Sequence, residues 1–288
     1  MFTKDQPEPP PQLQPVRAPI LEQFVREVPS PQNAVNLFAG EWWSRFPGRW
    51  YPLTAGHLSL FLDARIDWAI AALGGVAGKS LLELGPLEGG HTYSLEQAGA
   101  ESVLAIEGNT RAFLKCLIAK EIVGMPRSHF LLGDFEEYLR ADPGKFDAVV
   151  ACGVLYHLRD PVELIHNLAR ATDTVYIWTL YYDRAQLDKL PHMTQRFAEG
   201  HEATHHGFRH TLYHYNYKDF LDTPRYAGGT EEFSHWLSLE DLLGAVRHAG
   251  FTEIQIGDHD PGHANGPCIG FVARRPPSPA KRRLWPFG

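Results

Sequence analysis

Cysteine is scarce, and Cys116, Cys152 and Cys268 stand far apart with no Cys-x-x-Cys spacing. Thiols so placed cannot build a disulfide framework, and they fit a reducing compartment. Long apolar runs are missing too. Uncharged ones such as Ala148 to Tyr156 reach only about half of the ~20 residues that cross a bilayer. No transmembrane helix is expected, and the N-terminal stretch lacks the apolar core of a secretory signal. A cytoplasmic location without a membrane partner is the expectation. Positive charge is also short, with 27 Lys plus Arg against 34 Asp plus Glu and a formal net charge of −7. Nucleic acid is therefore a disfavoured partner, although a local basic patch could override net charge.

What is present reads as a globular protein. The 288 residues are 44% hydrophobic and 21% charged, close to the soluble average. Eight prolines fall within the first 31 residues, so 1–31 is expected to be a disordered leader. Residues 276–288 form a basic, proline-broken tail. Between the ends, short apolar runs at 79–85, 102–108, 129–134, 146–152 and 174–180 alternate with amphipathic segments at 91–98, 110–122, 135–141 and 161–171. A further helix is expected over 58–73, ahead of the first strand. Continuously apolar strands separated by helices imply a parallel sheet covered on both faces. Ser238, with Asp241 three residues on, opens a helix over 239–249, and Gly250 stops it. The last two apolar runs are joined by a loop too short for a helical crossover, so they pair antiparallel. The expected fold is α/β: a Rossmann-like doubly wound sheet, mostly parallel, with an antiparallel C-terminal hairpin and helices on both faces. This domain spans 58–275, with a cover segment at 32–57 and an inserted acceptor lid at 181–236.

The segment 80–92, SLLELGPLEGGHT, joins the first strand to its helix. Its glycines allow a tight turn at a helix N-terminus, where open α/β sheets bind ligands. A dinucleotide fingerprint, GxGxxG, needs a glycine in the middle so that backbone can approach a pyrophosphate. With Gly85 and Gly90 as the outer glycines, that slot holds Leu87, and Glu88 adds negative charge beside it. Both features disfavour a pyrophosphate, and neither offends a cationic ligand without phosphates, such as S-adenosylmethionine (SAM). Three acids, Glu83, Glu107 and Asp134, end successive predicted strands on one rim. Glu107 comes about 20 residues after the turn, the usual interval for an acid that bonds ribose hydroxyls.

The segments ELGPLEGGH, AIEGN, GDFE and FDAVVACGVLYHLRDP resemble, in this order, the signature segments of class I SAM-dependent methyltransferases. The resemblance covers roughly 58–171, and 239–273 is compatible with it. It implies SAM as cofactor, with Gly85, Pro86, Leu87 and Gly89 along the methionine portion and Glu107 on the ribose. It also implies Asp134 on the adenine amino group with Phe135 beside the ring, and adds Glu83, Gly108, Asn109 and Cys152 as neighbours of the cofactor. The family turn has a glycine where Leu87 stands. GVLYHLRDP is similar to a segment of tRNA wobble-uridine carboxymethyl- and methyltransferase-like proteins, and it recurs in small-molecule methyltransferases.

Tyr156 and His157 follow the fourth strand on the cofactor rim and are the candidate catalytic residues, His157 as a base. Arg159 and Asp160 are expected to cap the helix that starts at Pro161. Fifteen histidines are present, many of them between His192 and His214. His206, His210 and His214 recur at a spacing that would share one helix face, but Gly207 and the alternating Tyr213, Tyr215 and Tyr217 favour a strand. No metal site is assigned; these rings are expected to line an acceptor pocket or to pack the lid. Trp42, Trp43, Tyr51 and His57 are candidates to cover the cofactor or, alternatively, to dock the arm onto the core. The expected partner is a small-molecule or sugar-containing acceptor. A tRNA base and a non-catalytic SAM-binding role are the alternatives, and the sequence specifies no oligomeric state.

Overall fold

The computed structural model describes residues 24–217, 228–229 and 231–276. Most of the expected leader and tail lies outside these. The apolar runs fold as strands buried along most of their length, as a sheet covered on both faces requires. β1 (Ser80–Leu84), β2 (Ser102–Glu107), β3 (Ser128–Leu132), β4 (Ala148–Cys152) and β5 (Thr174–Leu180) pair in parallel. Three antiparallel strands follow as a separate small sheet: β6 (His201–His205), β7 (Phe208–Asn216) and β8 (Phe233–Trp236). The hairpin of β9 (Glu253–Asp260) and β10 (Cys268–Arg274) then completes a seven-stranded sheet of order β3-β2-β1-β4-β5-β10-β9. The expected doubly wound sheet with its antiparallel hairpin is thus present. Strand order reverses between β1 and β4, and the carboxyl edge at that reversal is where such sheets hold ligands.

The helices are α1 (Pro31–Asn36), α2 (Ala64–Ala72), α3 (Gly90–Gln97), α4 (Thr110–Val123), α5 (Phe135–Arg140), α6 (Pro161–Ala171), the short α7 (Arg184–Leu187) and α8 (Pro191–Thr194), and α9 (Leu239–His248). Asn109, Asp134, Asp160 and Ser238 each cap a helix by accepting from its first-turn N–H groups, which fill otherwise orphaned donors. Two expectations need correction. The helix expected over 58–73 is a 3₁₀ turn at Leu60–Leu62 followed by α2. Asp63 separates them because it is extended and its carboxylate accepts from Arg65 N at 2.9 Å. Asp160 caps α6 as expected, but Arg159 does not: it pairs with Glu231 at 2.5 Å and lies over the Phe233 ring.

Apolar side chains bury on both faces of the sheet. One face packs α5, α6 and α9 against it, and the other packs α2 and α3 together with aromatics of the small sheet. A third cluster joins the N-terminal arm to α4 through Phe38, Trp42, Phe46, Phe61, Cys116 and Ala119. Among the described residues, no helix is long and apolar enough to cross a membrane.

Candidate functional site

The turn after β1 takes the shape its glycines allow. Gly85 has φ +65, and a Cβ there would lie 2.6 Å from Val154 Cγ1, so both conformation and space demand glycine. Leu87, standing where the family has glycine, also occupies the left-handed region at φ 58. Such a backbone costs an L-residue about 1–3 kcal/mol and persists only where the surroundings hold it. Glu107 holds it: its carboxylate accepts from Leu87 N and from Asn109 N, each at 2.9 Å. The leucine therefore keeps the glycine-type path instead of diverting it. Burial pushes the Glu107 carboxyl above its ordinary range, while the N–H groups of Asn109, Leu87 and Gly108 oppose that shift. A carboxylate has about four acceptor positions, so these backbone bonds still leave room for a ligand hydroxyl.

Glu88 does not face the ligand side. It is buried, pairs with Lys115 Nζ at 2.6 Å, and accepts from Trp43 N at 3.0 Å and Ser44 N at 2.7 Å. The negative charge expected beside Leu87 is therefore spent on clamping the arm to the turn from behind. Trp42 is buried with its Nε1 donating to Val35 O, while Tyr51 is exposed. None of Trp42, Trp43, Tyr51 and His57 is among the residues that line the cavity.

A cavity of about 830 Å³ opens at the carboxyl edge of β1, β2, β3 and β4. Gly85, Pro86 and Leu87 line it from the turn, Glu107, Gly108 and Asn109 from the end of β2, Asp134 and Phe135 from the end of β3, and Cys152, Tyr156 and His157 from the end of β4. Two proposed cofactor neighbours lie elsewhere. Gly89 faces Phe130 and Met125 in the core. Glu83 is buried under the turn, its carboxylate accepting from Thr92 Oγ1 at 2.5 Å. Strand alternation explains Glu83: it is the fourth residue of β1 and points into the layer of α3, not onto the rim. Glu136, not foreseen, also lines the cavity; burial and the neighbouring Asp134 carboxylate push its carboxyl up to about 7.

Sequence reasoning missed a charged cluster on the same wall. Arg65 and His91 line the cavity and share the carboxylate of Asp63, with Arg65 Nη2 at 2.6 Å and His91 Nε2 at 3.0 Å. The Arg65 guanidinium lies 4.4 Å from the centroid of Trp178. Burial alone would lower the His91 pKa, but interactions with Cys152, Asp63 and Glu83 carry it up to about 10. Both side chains thus hold positive charge at neutral pH. The partners are separated by up to 28 residues, and no local spacing announces them; only the HisThr that follows the glycines was visible.

After β4 the imidazole of His157 sits 4.2 Å from the Tyr156 ring, centroid to centroid. Burial pushes the His157 pKa down to about 4, so the ring is neutral at pH 7. Its Nδ1 is 2.8 Å from the hydroxyl of Tyr217. Among the described residues of 181–236, Gly228, Gly229 and Glu231 line the cavity, and the histidines of 192–214 do not. Those histidines pin the small sheet instead. His205 pairs with Asp160 at 3.0 Å, His206 with Glu163 at 2.5 Å, and His206 stacks on His166 with centroids 3.6 Å apart. The regular helical spacing of His206, His210 and His214 is lost because His206 lies in a turn and the other two in β7.

Comparison with known proteins agrees with this geometry. Residues 82–174 match the model of a family described as a methyltransferase domain. The N-terminal domain of EvdMO1 with SAH (S-adenosylhomocysteine) bound superposes with a TM-score of 0.68 at 24% identity, covering 85% of this chain and 95% of that one. The same domain crystallised in the presence of SAH and D-fucose gives 0.66 at 25% identity with the same coverage. The tRNA U34 carboxymethyltransferase of Pseudomonas fluorescens (strain SBW25) is 32% identical over 108 residues, 36% of this chain and 33% of that one. The chain thus spans about a third of that relative's length. Residues 82–174 are therefore similar to a methyltransferase domain, and the chain shares the fold of the SAH-bound N-terminal domain of EvdMO1.

Proposed function

We propose that this chain transfers a methyl group from SAM to a hydroxyl of a small-molecule or sugar-containing acceptor. The observation that carries the reading is one cavity lined by two chemically different sets of residues. Glu107, Asp134 and Phe135 come from the ends of β2 and β3, and Tyr156, His157, Arg159 and Trp178 from the end of β4 and from β5. Its volume of about 830 Å³ lies in the upper part of the range for small-molecule sites, enough for a donor and an acceptor together.

The residues present suit the donor. Glu107 offers carboxylate lone pairs for ribose hydroxyls, Phe135 a ring for adenine, and Asp134 an acceptor for its amino group. Arg65 and His91 supply fixed positive charge for a carboxylate, and Asp63 and Glu83 hold them in place. Bound there, SAM supplies an electrophilic methyl on a sulfonium. The protein's part is to orient the acceptor and take its proton. With SAM bound, a neutral His157 would accept that proton at Nε2 as the acceptor oxygen takes the methyl and the sulfur–methyl bond breaks, leaving the neutral thioether S-adenosylhomocysteine. Tyr156, whose phenol is pushed up by burial and by nearby Cys152, stays a phenol and packs beside the reacting groups.

The test is transfer of labelled methyl from SAM to a panel of hydroxylated metabolites and deoxysugars, D-fucose among them. His157→Ala should reduce kcat by about 10²–10⁴-fold, the usual range for a general base, without changing SAH affinity. With kcat/KM measured against pH, activity should be flat through neutrality and fall only as pH drops toward about 4, where His157 becomes protonated. Full turnover in His157→Ala would refute the base. A tRNA acceptor is the second reading, supported by the 32% identity to the tRNA-modifying relative. Labelled methyl in tRNA, with binding that weakens steeply with salt, would favour it.

A further inference from the structure

The small sheet puts a hydroxyl directly behind the candidate base. Tyr217, which follows β7, is 5% exposed, and Ser234 on β8 is fully buried. The Tyr217 oxygen lies 2.8 Å from His157 Nδ1, 3.0 Å from Ser234 Oγ and 3.3 Å from the backbone oxygen of Tyr156. The rings of His157 and Tyr217 are nearly parallel, with centroids 5.9 Å apart. A phenylalanine would fill this apolar site equally well, whereas a buried hydroxyl costs free energy unless its bonds are made. Here all three are within reach.

The arrangement chooses between the two tautomers of a neutral imidazole. A phenol has one proton to give, and the Tyr156 carbonyl can only accept. If Tyr217 gave its proton to Nδ1, its oxygen would turn lone pairs toward that carbonyl and leave it without this donor. With the Tyr217 proton directed to the carbonyl, its oxygen accepts from Nδ1–H, and the Ser234 hydroxyl can donate to the same oxygen. The proton of His157 then sits on Nδ1, and Nε2, which makes no protein hydrogen bond among the described residues, keeps a free lone pair.

From this geometry we infer that Tyr217 is a positioning residue, which with Ser234 holds His157 as the Nδ1–H tautomer so that Nε2 serves as the proton acceptor. The inference rests on the reading of His157 as the base. It gives the inserted segment a role in the chemistry although most of its described side chains do not touch the cavity. The second hydrogen bond of a catalytic imidazole sets which nitrogen is available, and a residue on a separately folded sheet performs that task here.

The tautomer can be read without any acceptor. In the full chain labelled with ¹⁵N-histidine and saturated with SAH, long-range proton–nitrogen spectra report which ring nitrogen carries the proton, and His157→Gln assigns the signals. The expected result is a single His157 tautomer with Nε2 unprotonated, becoming a mixture in Tyr217→Phe and partly so in Ser234→Ala. A His157 carrying its proton on Nε2 in the unsubstituted protein would overturn the inference, whatever the variants do. So would an unchanged tautomer in Tyr217→Phe with SAH affinity intact. With an acceptor from the panel, Tyr217→Phe should lower kcat about 10-fold, the equivalent of one ordinary hydrogen bond, and leave KM for SAM unchanged. Loss of activity in His157→Ala together with a wrong tautomer would remove the Tyr217 role and spare the base. Full activity in His157→Ala would remove the base itself.

Discussion

The arm over 32–57 and the insertion over 181–236 look alike in sequence, both aromatic and carrying histidine ahead of or after the core strands, yet they serve different ends. The arm turns its aromatics inward against α4, and its backbone N–H groups at Trp43 and Ser44 meet Glu88 on the far side of the glycine turn. Among the described residues, the insertion forms a separate three-stranded sheet, pinned to α6 by His206 and to its cap Asp160 by His205, and reaches the rim of β4 through Tyr217. Aromatic composition therefore says that a segment is buried, not that it faces a ligand. What decides its role is the strand end against which it packs.

The comparison is sharpest at Glu88. If the arm is a clamp, Glu88→Ala leaves Lys115 buried without its partner and should cost about 3–5 kcal/mol of stability. Chemical denaturation measures the loss, and hydrogen exchange should show it at Trp43 and Ser44 first. An equally stable variant would mean that the arm is not held this way. On the ligand side of the same turn, Glu107→Ala should weaken SAH by about 1.5–3 kcal/mol, the range for hydrogen bonds to a charged group. Calorimetry reads that directly, and unchanged affinity would remove Glu107 from the site.

The cationic wall makes a prediction of opposite pH sense from that for His157. The His91 pKa is raised from 6.5 to about 10, so its stabilising contribution is complete below its ordinary pKa and is lost progressively as pH rises toward 10. His91→Gln should flatten the decline of Tm between pH 7 and 10; an equally steep decline would show that His91 is not the group responsible. The smallest effect is expected at Tyr51. It is 58% exposed on the arm, so Tyr51→Ala should change stability by less than about 0.5 kcal/mol and leave SAH affinity untouched. Weakened SAH binding would show that the arm covers the cavity.

Most of the fold was legible because buried parallel strands announce themselves as continuous apolar runs, as ValValAlaCys in β4 and TyrIleTrp in β5 do. The rim residues Glu107, Asn109, Asp134, Phe135, Tyr156 and His157 were legible for a related reason. They follow those runs at once, and the end of a strand fixes where the next residues lie. What stayed hidden depends on contacts distant in sequence or on which way a side chain points. Glu83 sits inside a strand, so its orientation follows the pleat and takes it under the turn. Leu87 keeps a glycine's conformation only because a carboxylate 20 residues away accepts from its N–H. The Asp63–Arg65–His91 cluster joins a loop, α2 and α3, and Tyr217 was one of three alternating tyrosines with nothing local to single it out.

The account stands on a nucleoside seated at the ends of β2 and β3. A crystal structure of the protein with S-adenosylhomocysteine tests it most directly. The account predicts ribose hydroxyls within hydrogen-bond distance of Glu107, the adenine against Phe135 with its amino group toward Asp134, and the homocysteine carboxylate toward Arg65. A ligand bound away from Glu107, or a cavity that stays closed to SAH while accepting a nicotinamide dinucleotide, would contradict it.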